Sequence, residues 1–133
     1  MLVNQIAVFL ENRAGRLQAL AKTLSDAKVD LVSLNIADTS DFGIVRMITS
    51  DNKKAESALK LAGFTVKSND LIGIEVEDVP GGLTNILLGL SQEGVDIEYL
   101  YSFAHTKEKK AIILFKTSDV EKALAILKKH NIN

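Results

Sequence analysis

One stretch of this chain occurs twice. Glu11-Asn12-Arg13-Ala14-Gly15-Arg16-Leu17 returns 66 residues later as Glu77-Asp78-Val79-Pro80-Gly81-Gly82-Leu83. The match runs on: Leu20 meets Ile86, Leu24 meets Leu90, Val29-Asp30 meets Val95-Asp96, and Leu34 meets Leu100. Further along, Thr49-Ser50-Asp51 matches Thr117-Ser118-Asp119, now 68 residues apart. The two extra residues fall where Thr39 to Gly43 faces His105 to Lys110, and both stretches read as hairpin turns. Turns absorb insertions that strands do not. A chain built this way is expected to fold as two copies of one small module, residues 1–69 and 70–133.

Each copy predicts the same elements in the same order. Ile6, Val8 and Leu10 alternate with Ala7, Phe9 and Glu11, and Ile72, Ile74 and Val76 with Gly73, Glu75 and Glu77. That period of two marks a first strand. After a turn, Leu17, Leu20, Ala21 and Leu24 recur at helical spacing, as do Leu83, Ile86, Leu87 and Leu90, stripes that bury a helix on a sheet. Leu31 to Asp38 and Ile97 to Ala104 read as second strands, Gly43 to Thr49 and Lys110 to Thr117 as third strands. Asp51 and Asp119 are expected to cap the helices that follow. Gly63 closes the first of these, and Phe64 to Lys67 adds a fourth strand.

The order is β-α-β-β-α-β, so the predicted fold is α+β: two ferredoxin-like modules, each an antiparallel sheet with helices on one face. The second copy stops at Asn133, so its last strand is short or absent and leaves a sheet edge. The third strands are apolar on both faces apart from Arg46, which predicts cover on both sides. The other sheet, another chain or a sideways homodimer would supply it.

Composition narrows the function. Hydrophobic residues make up 47% and charged residues 25% of 133, which excludes disorder. A net charge of −1, with Lys and Arg scattered, leaves no electrostatic footprint for nucleic acid or an anionic membrane. The absence of cysteine excludes thiolate metal sites and cysteine nucleophiles. No run reaches the ~18 apolar residues of a membrane span, and the start shows no basic segment or cleavage site. A cytoplasmic protein is expected. His105 and His130 lack partners at metal-ligand spacing, and neither a nucleophile elbow nor a phosphate-binding loop occurs. No catalytic residue, metal or cofactor is therefore expected. Glu75, Glu77 and Asp78 read more simply as the polar side of a strand. RNA-recognition modules share the strand order, but place aromatics on their central strands. Here Tyr99 and Tyr101 lie on a second strand.

The chemical signal is the repeated turn between first strand and first helix. Gly15 and Gly81-Gly82 sit where each helix begins. A helix N-terminus offers free amides and a partial positive charge, which suits a carboxylate. Asn12 and Asp78, at the strand ends, present side-chain oxygens to an ammonium group. Together these would hold the shared part of an α-amino acid. Caps and turn residues explain the same positions without a ligand.

The segment Glu-[Asn/Asp]-x-[Ala/Pro]-Gly-x-Leu after a strand, then Leu at helical spacing and Val-Asp-[Leu/Ile] before the next strand, resembles an ACT domain. The resemblance covers both copies and nearly the whole chain, as in a stand-alone tandem of such domains. It implies a non-catalytic regulatory module that binds an amino acid between paired domains and controls an enzyme of amino-acid metabolism. By position, it implies one ligand loop at Asn12, Ala14, Gly15, Arg16 and Leu17 and another at Asp78, Pro80, Gly81, Gly82 and Leu83. The second strand of a neighbouring module, around Asn35 and Ile36 or Tyr101 and Ser102, is implied as the opposite wall. The first copy has Ala14 where the family favours Pro, and neutral Asn12 where it often has Asp. A protein-interaction or oligomerisation module without a small ligand is the alternative, and the apolar open face and unpaired edge suit it.

Overall fold

The computed structural model describes residues 1–38, 42–103 and 109–132. The hairpin residues Ser40 and Asp41, and His105, lie outside the described residues. The strands are β1 (Leu2–Glu11), β2 (Leu31–Asp38), β3 (Phe42–Thr49), β4 (Thr65–Glu77), β5 (Tyr99–Ser102) and β6 (Lys110–Lys116), with β3 and β6 apolar along most of their length. Between them lie α1 (Arg16–Asp26), α2 (Asn52–Leu61), α3 (Thr84–Gln92) and α4 (Val120–Lys129). The chain divides into two compact units: Asn4–Asn69, and Met1–Val3 together with Asp70–Asn133.

In the unit Asn4–Asn69 the strands lie in the order β2-β3-β1-β4. β3 pairs antiparallel with β1 (Val8 opposite Val45) and with β2 (Ile36 opposite Val45). Ile6, Val8 and Leu10 of β1 and Val45 and Met47 of β3 bury one sheet face against Leu20 and Leu24 of α1 and Ala55 and Leu59 of α2. Leu17, expected in the buried stripe, is instead exposed. It stands in the first turn of α1, one turn before the fully buried Leu20. Leu34 and Ile36 stand opposite the fully buried Met47 and Val45, yet are 43% and 44% exposed. The helices cover β1 and β3 and leave the edge strand bare.

Asp51 caps α2, its carboxylate accepting the Lys54 N–H at 3.1 Å. The left-handed Gly63 (φ 90°) ends it, and the Phe64 N–H reaches back to the Leu59 carbonyl at 3.0 Å. This is the closing pattern that glycine favours.

The other unit repeats the plan with β4, β6 and β5. Ile74 stands opposite Ile113 and Tyr101 opposite Leu114. Ile72, Ile74 and Val76 pack with Ile113, Phe115, Ile86, Leu90, Ile126 and Leu127. On the other sheet face Leu71, Leu114 and Tyr101 are also buried. Asp119 caps α4 through the Lys122 N–H at 3.0 Å.

Three boundaries differ from expectation. β5 covers only Tyr99–Ser102 of the span Ile97 to Ala104, and Ala104 is outside the described residues. The fourth strand of the first copy and the first strand of the second form one strand, β4, with no linker loop. Ser68, Asn69 and Asp70 look polar enough for a loop, but Asn4 Nδ2 donates to Ser68 Oγ at 2.9 Å and Gln5 Nε2 to Asn69 Oδ1 at 3.0 Å. Finally, no strand follows α4 among the described residues, and the N-terminus takes part of the β4 edge. The Gly73 N–H donates to the Met1 carbonyl at 2.8 Å, and the Met1 amino group to the Gly73 carbonyl at 3.1 Å.

Candidate functional site

Both strand-to-helix loops turn on a left-handed glycine. Gly15 has φ 88° and Gly81, 66 positions later, φ 85°. Residues with a Cβ rarely adopt this conformation. Space around Gly15 is open, with nothing within 4 Å of where a Cβ would stand, so conformation alone selects glycine there. Gly82 differs: a Cβ there would collide with the Glu77 carbonyl oxygen.

The loops then part ways. In the first, the Arg13 N–H donates to the Glu11 carbonyl at 2.9 Å, and the helix begins at once with Arg16. The next bond is shared, Arg16 N–H to the Arg13 carbonyl at 3.3 Å and Gly82 N–H to the Val79 carbonyl at 3.0 Å; in the second loop Thr84 N–H to the Gly81 carbonyl at 3.1 Å adds a further turn, and α3 starts at Thr84. Two consecutive glycines disfavour helix and explain the delay.

Neither α1 nor α3 has a side-chain cap, whereas α2 and α4 are capped by aspartates. The first-turn amides of α1 and α3 are thus free of the acceptor that closes the other two helices. Asn12, Ala14, Asp78 and Pro80 are all exposed beside them. A cavity of about 420 Å³ opens against the second loop, lined by Glu77, Pro80, Gly81, Gly82, Thr84 and Asn85, with Val79 at its rim. Thr84 and Asn85 were missed by the sequence reading, because the expected helix start lay two residues earlier.

The other expected site residues lie in varied surroundings. Arg16 lays its guanidinium over the Phe64 ring, 4.9 Å from its centre. Leu17 is exposed and Leu83 half-buried against the core. Asn35 and Ile36 lie opposite Arg46 and Val45, on an edge strand separated from β1 by β3. Asn12 is four residues beyond Val8, the β1 partner of Val45, or roughly 13 Å along the strand. Tyr101 is buried, and Ser102 exposed. Among the described residues, no group of three or more His, Asp or Glu side chains is placed to hold a metal. No described helix is long and apolar enough to cross a membrane.

Two units that share the order β-α-β-β-α, each with a glycine-turned loop feeding a helix without a side-chain cap, define a tandem ferredoxin-like protein. The family described as an ACT domain pair matches residues 1–133. The chain belongs to that family, a family of regulatory modules.

The chain is similar to protein BT0572 from Bacteroides thetaiotaomicron, with 39% identity and a TM-score of 0.92 over 100% of this chain and 91% of that one. It also resembles the regulatory subunit of aspartate kinase from Thermus flavus (15% identity, TM-score 0.65, 96% and 92% covered). The ligand-free Thermus thermophilus counterpart is similar too (14% identity, TM-score 0.65, 97% and 96% covered). At these identities the two Thermus proteins support the fold. No curated protein sequence matches the chain.

Proposed function

We propose that the protein is a non-catalytic amino-acid sensor of the cytoplasm. Its ligand's carboxylate rests on the first-turn amides of α1 or α3 and its ammonium on Asn12 or Asp78. The carrying observation is the capping contrast: Asp51 and Asp119 close two helices, while the helices that follow Gly15 and Gly81 are left without a side-chain acceptor. Asp78 carries charge where Asn12 does not, so the second loop is the stronger ammonium site. Asn35 and Ile36, too far from their own loop but exposed on an edge strand, are available to the loop of a second copy. A homodimer joined along β2 would therefore complete the first site. Ligand would then shift association by its difference in affinity for the two states. A regulated enzyme of amino-acid metabolism is the natural listener.

The test is thermal unfolding against each of the twenty amino acids. At 100 times its dissociation constant a ligand stabilises by ~2.7 kcal/mol, a shift of several degrees. One chemical class should raise the midpoint, and Asp78→Ala or Gly15→Val should reduce the effect. Twenty unmoved curves would sink the reading. The protein-interaction alternative would then take over, supported by exposed Leu31, Leu34 and Ile36 along one strand.

A further inference from the structure

Two side-chain pairs along one strand ladder differ in kind. β1 and β4 are neighbours in the sheet, and the two hydrogen bonds between Met1 and Gly73 set them antiparallel. Counting along both strands from that rung places Val3 opposite Leu71 and Gln5 opposite Asn69. Leu71 is almost fully buried and Val3 half-buried. Gln5 is fully buried, and its Nε2 donates to Asn69 Oδ1 at 3.0 Å. One pair is aliphatic and the other is a pair of amides.

The amide pair is a poor device for stability. Asn69 Nδ2 is buried with no hydrogen-bond partner among the described residues. A half-satisfied buried pair is inferior to a well-packed apolar one. The repeat offset of 66 carries Gln5 onto Leu71 and Val3 onto Asn69, so the aliphatic pair is the equivalent place in the other copy. An aliphatic solution was therefore available to the same ladder.

What the amides change is the choice of neighbour. β1 and the second half of β4 are copies of one strand, with Ile6, Val8 and Leu10 recurring as Ile72, Ile74 and Val76. That apolar face does not distinguish β1 beside β4 from β1 beside the β1 of another molecule, or β4 beside another β4. In the same register a β1 pair sets Gln5 against Val3, and a β4 pair sets Asn69 against Leu71, twice in each ladder. Every amide then faces an aliphatic side chain. Only unlike strands match amide with amide and aliphatic with aliphatic.

We infer that Gln5 and Asn69 are a pairing selector, which holds β1 to β4 and bars the like-with-like ladders through which two molecules would exchange strands. Single buried polar groups fix register and partner in this way in coiled coils. Each amide left facing an aliphatic chain shifts the equilibrium against the like ladder by about tenfold or more. Between unlike strands, the tether favours the chain's own. The selector acts on β1 and β4 and not on the β2 edge, so it does not rest on the amino-acid reading.

The chain has no cysteine, which allows a clean reporter. Asp70 lies opposite Asn4 in the observed ladder but opposite itself in a β4 pair, where two cysteines would be within reach of a disulfide. Asp70→Cys also removes the meeting of two carboxylates there, so the amides alone restrain the like pairing. The full chain carrying Asp70→Cys is refolded from urea and oxidised, with and without Gln5→Leu and Asn69→Val, which copy the aliphatic pair. The double change should leave the urea midpoint unchanged or higher, and raise the yield of disulfide-linked dimer by about tenfold or more. Lys53→Cys, exposed on α2, should show no such rise in the same background. Equal dimer yields in the two backgrounds overturn the inference, as does a rise shared by Lys53→Cys. A clearly lower midpoint overturns it too, because the amides then serve stability instead of selection.

Discussion

Met1 and Gly73 are joined by two hydrogen bonds, from the Met1 amino group at 3.1 Å and from the Gly73 N–H at 2.8 Å. Among the described residues no strand follows α4, and this pair sets the first residues of the chain against part of the β4 edge. Gly73 permits the approach. A Cβ there would stand 2.9 Å from Val3 Cγ2 and 3.4 Å from Leu114 Cδ2, and Val3 is stiff at χ1. Gly73→Val is therefore expected to cost about 1–3 kcal/mol, as overpacking does. Urea unfolding reads this as a lower midpoint. An unchanged midpoint would mean that Met1–Val3 yields freely and gives the edge no real cover.

The repeat carried most of the fold because duplication preserves what packing demands. Val8, Leu20, Leu24, Ile74, Ile86 and Leu90 repeat at one spacing and all are buried. The two aspartate caps were legible for the same reason, since a cap is a local contact between residues three apart. What stayed hidden depended on partners distant in sequence. Nothing local in Ser68-Asn69-Asp70 announces a strand; Asn4 and Gln5, more than sixty residues earlier, make it one. Likewise the contact of the Arg16 guanidinium with the Phe64 ring could not be read from the loop motif, because Phe64 lies far along the chain. The loops could be found from sequence, and Gly81-Gly82 carried the signal for the delayed start of α3, but the collision of any Cβ on Gly82 with the Glu77 carbonyl could not be read from it.

The caps give a clean measurement. Asp51 and Asp119 each accept one first-turn amide, at 3.1 and 3.0 Å, and both bonds are exposed. Asp51→Ala and Asp119→Ala should each cost about 1 kcal/mol, with Asn at either place nearly neutral. The two caps belong to different units, so the double variant should lose the sum within about 0.5 kcal/mol. Chemical denaturation of the four-member cycle checks both statements.

Leu17 and Leu20 test the corrected helix face. They sit three residues apart on α1, but Leu20 is fully buried and Leu17 is 38% exposed. Leu20→Ala should cost about 2–5 kcal/mol through lost burial and the cavity left behind. Leu17→Ala should stay within about 0.5 kcal/mol. A large loss at Leu17 would show that this residue is covered in solution, as a ligand-gated or dimeric first loop requires. Measuring it at several protein concentrations separates dimerisation from folding.

Gly15 should be limited by backbone alone. Its φ of 88° sits in the left-handed region, and no atom lies where a Cβ would go. Gly15→Ala is expected to cost about 1–2 kcal/mol in conformational strain with no steric clash. Gly15→Asn should cost less, since Asn tolerates that region. Equal losses for Ala and Asn would point to contact rather than conformation.

Arg16 offers a choice between charge and packing. Its guanidinium carbon lies 4.9 Å from the Phe64 ring centre, a distance at which cation–π attraction contributes roughly 0.5–2 kcal/mol depending on exposure. Its Nε is buried without a hydrogen bond among the described residues, which works against it. Arg16→Ala removes the stem, the charge and the unsatisfied donor together, and should lose about 1–2 kcal/mol. Arg16→Met keeps an apolar stem over the ring and discards the donor. If packing dominates, Met recovers most of what Ala loses; if the cation dominates, the two fall equally. The buried Nε favours packing, so Arg16→Met is expected to unfold within about 0.5 kcal/mol of the original chain in urea.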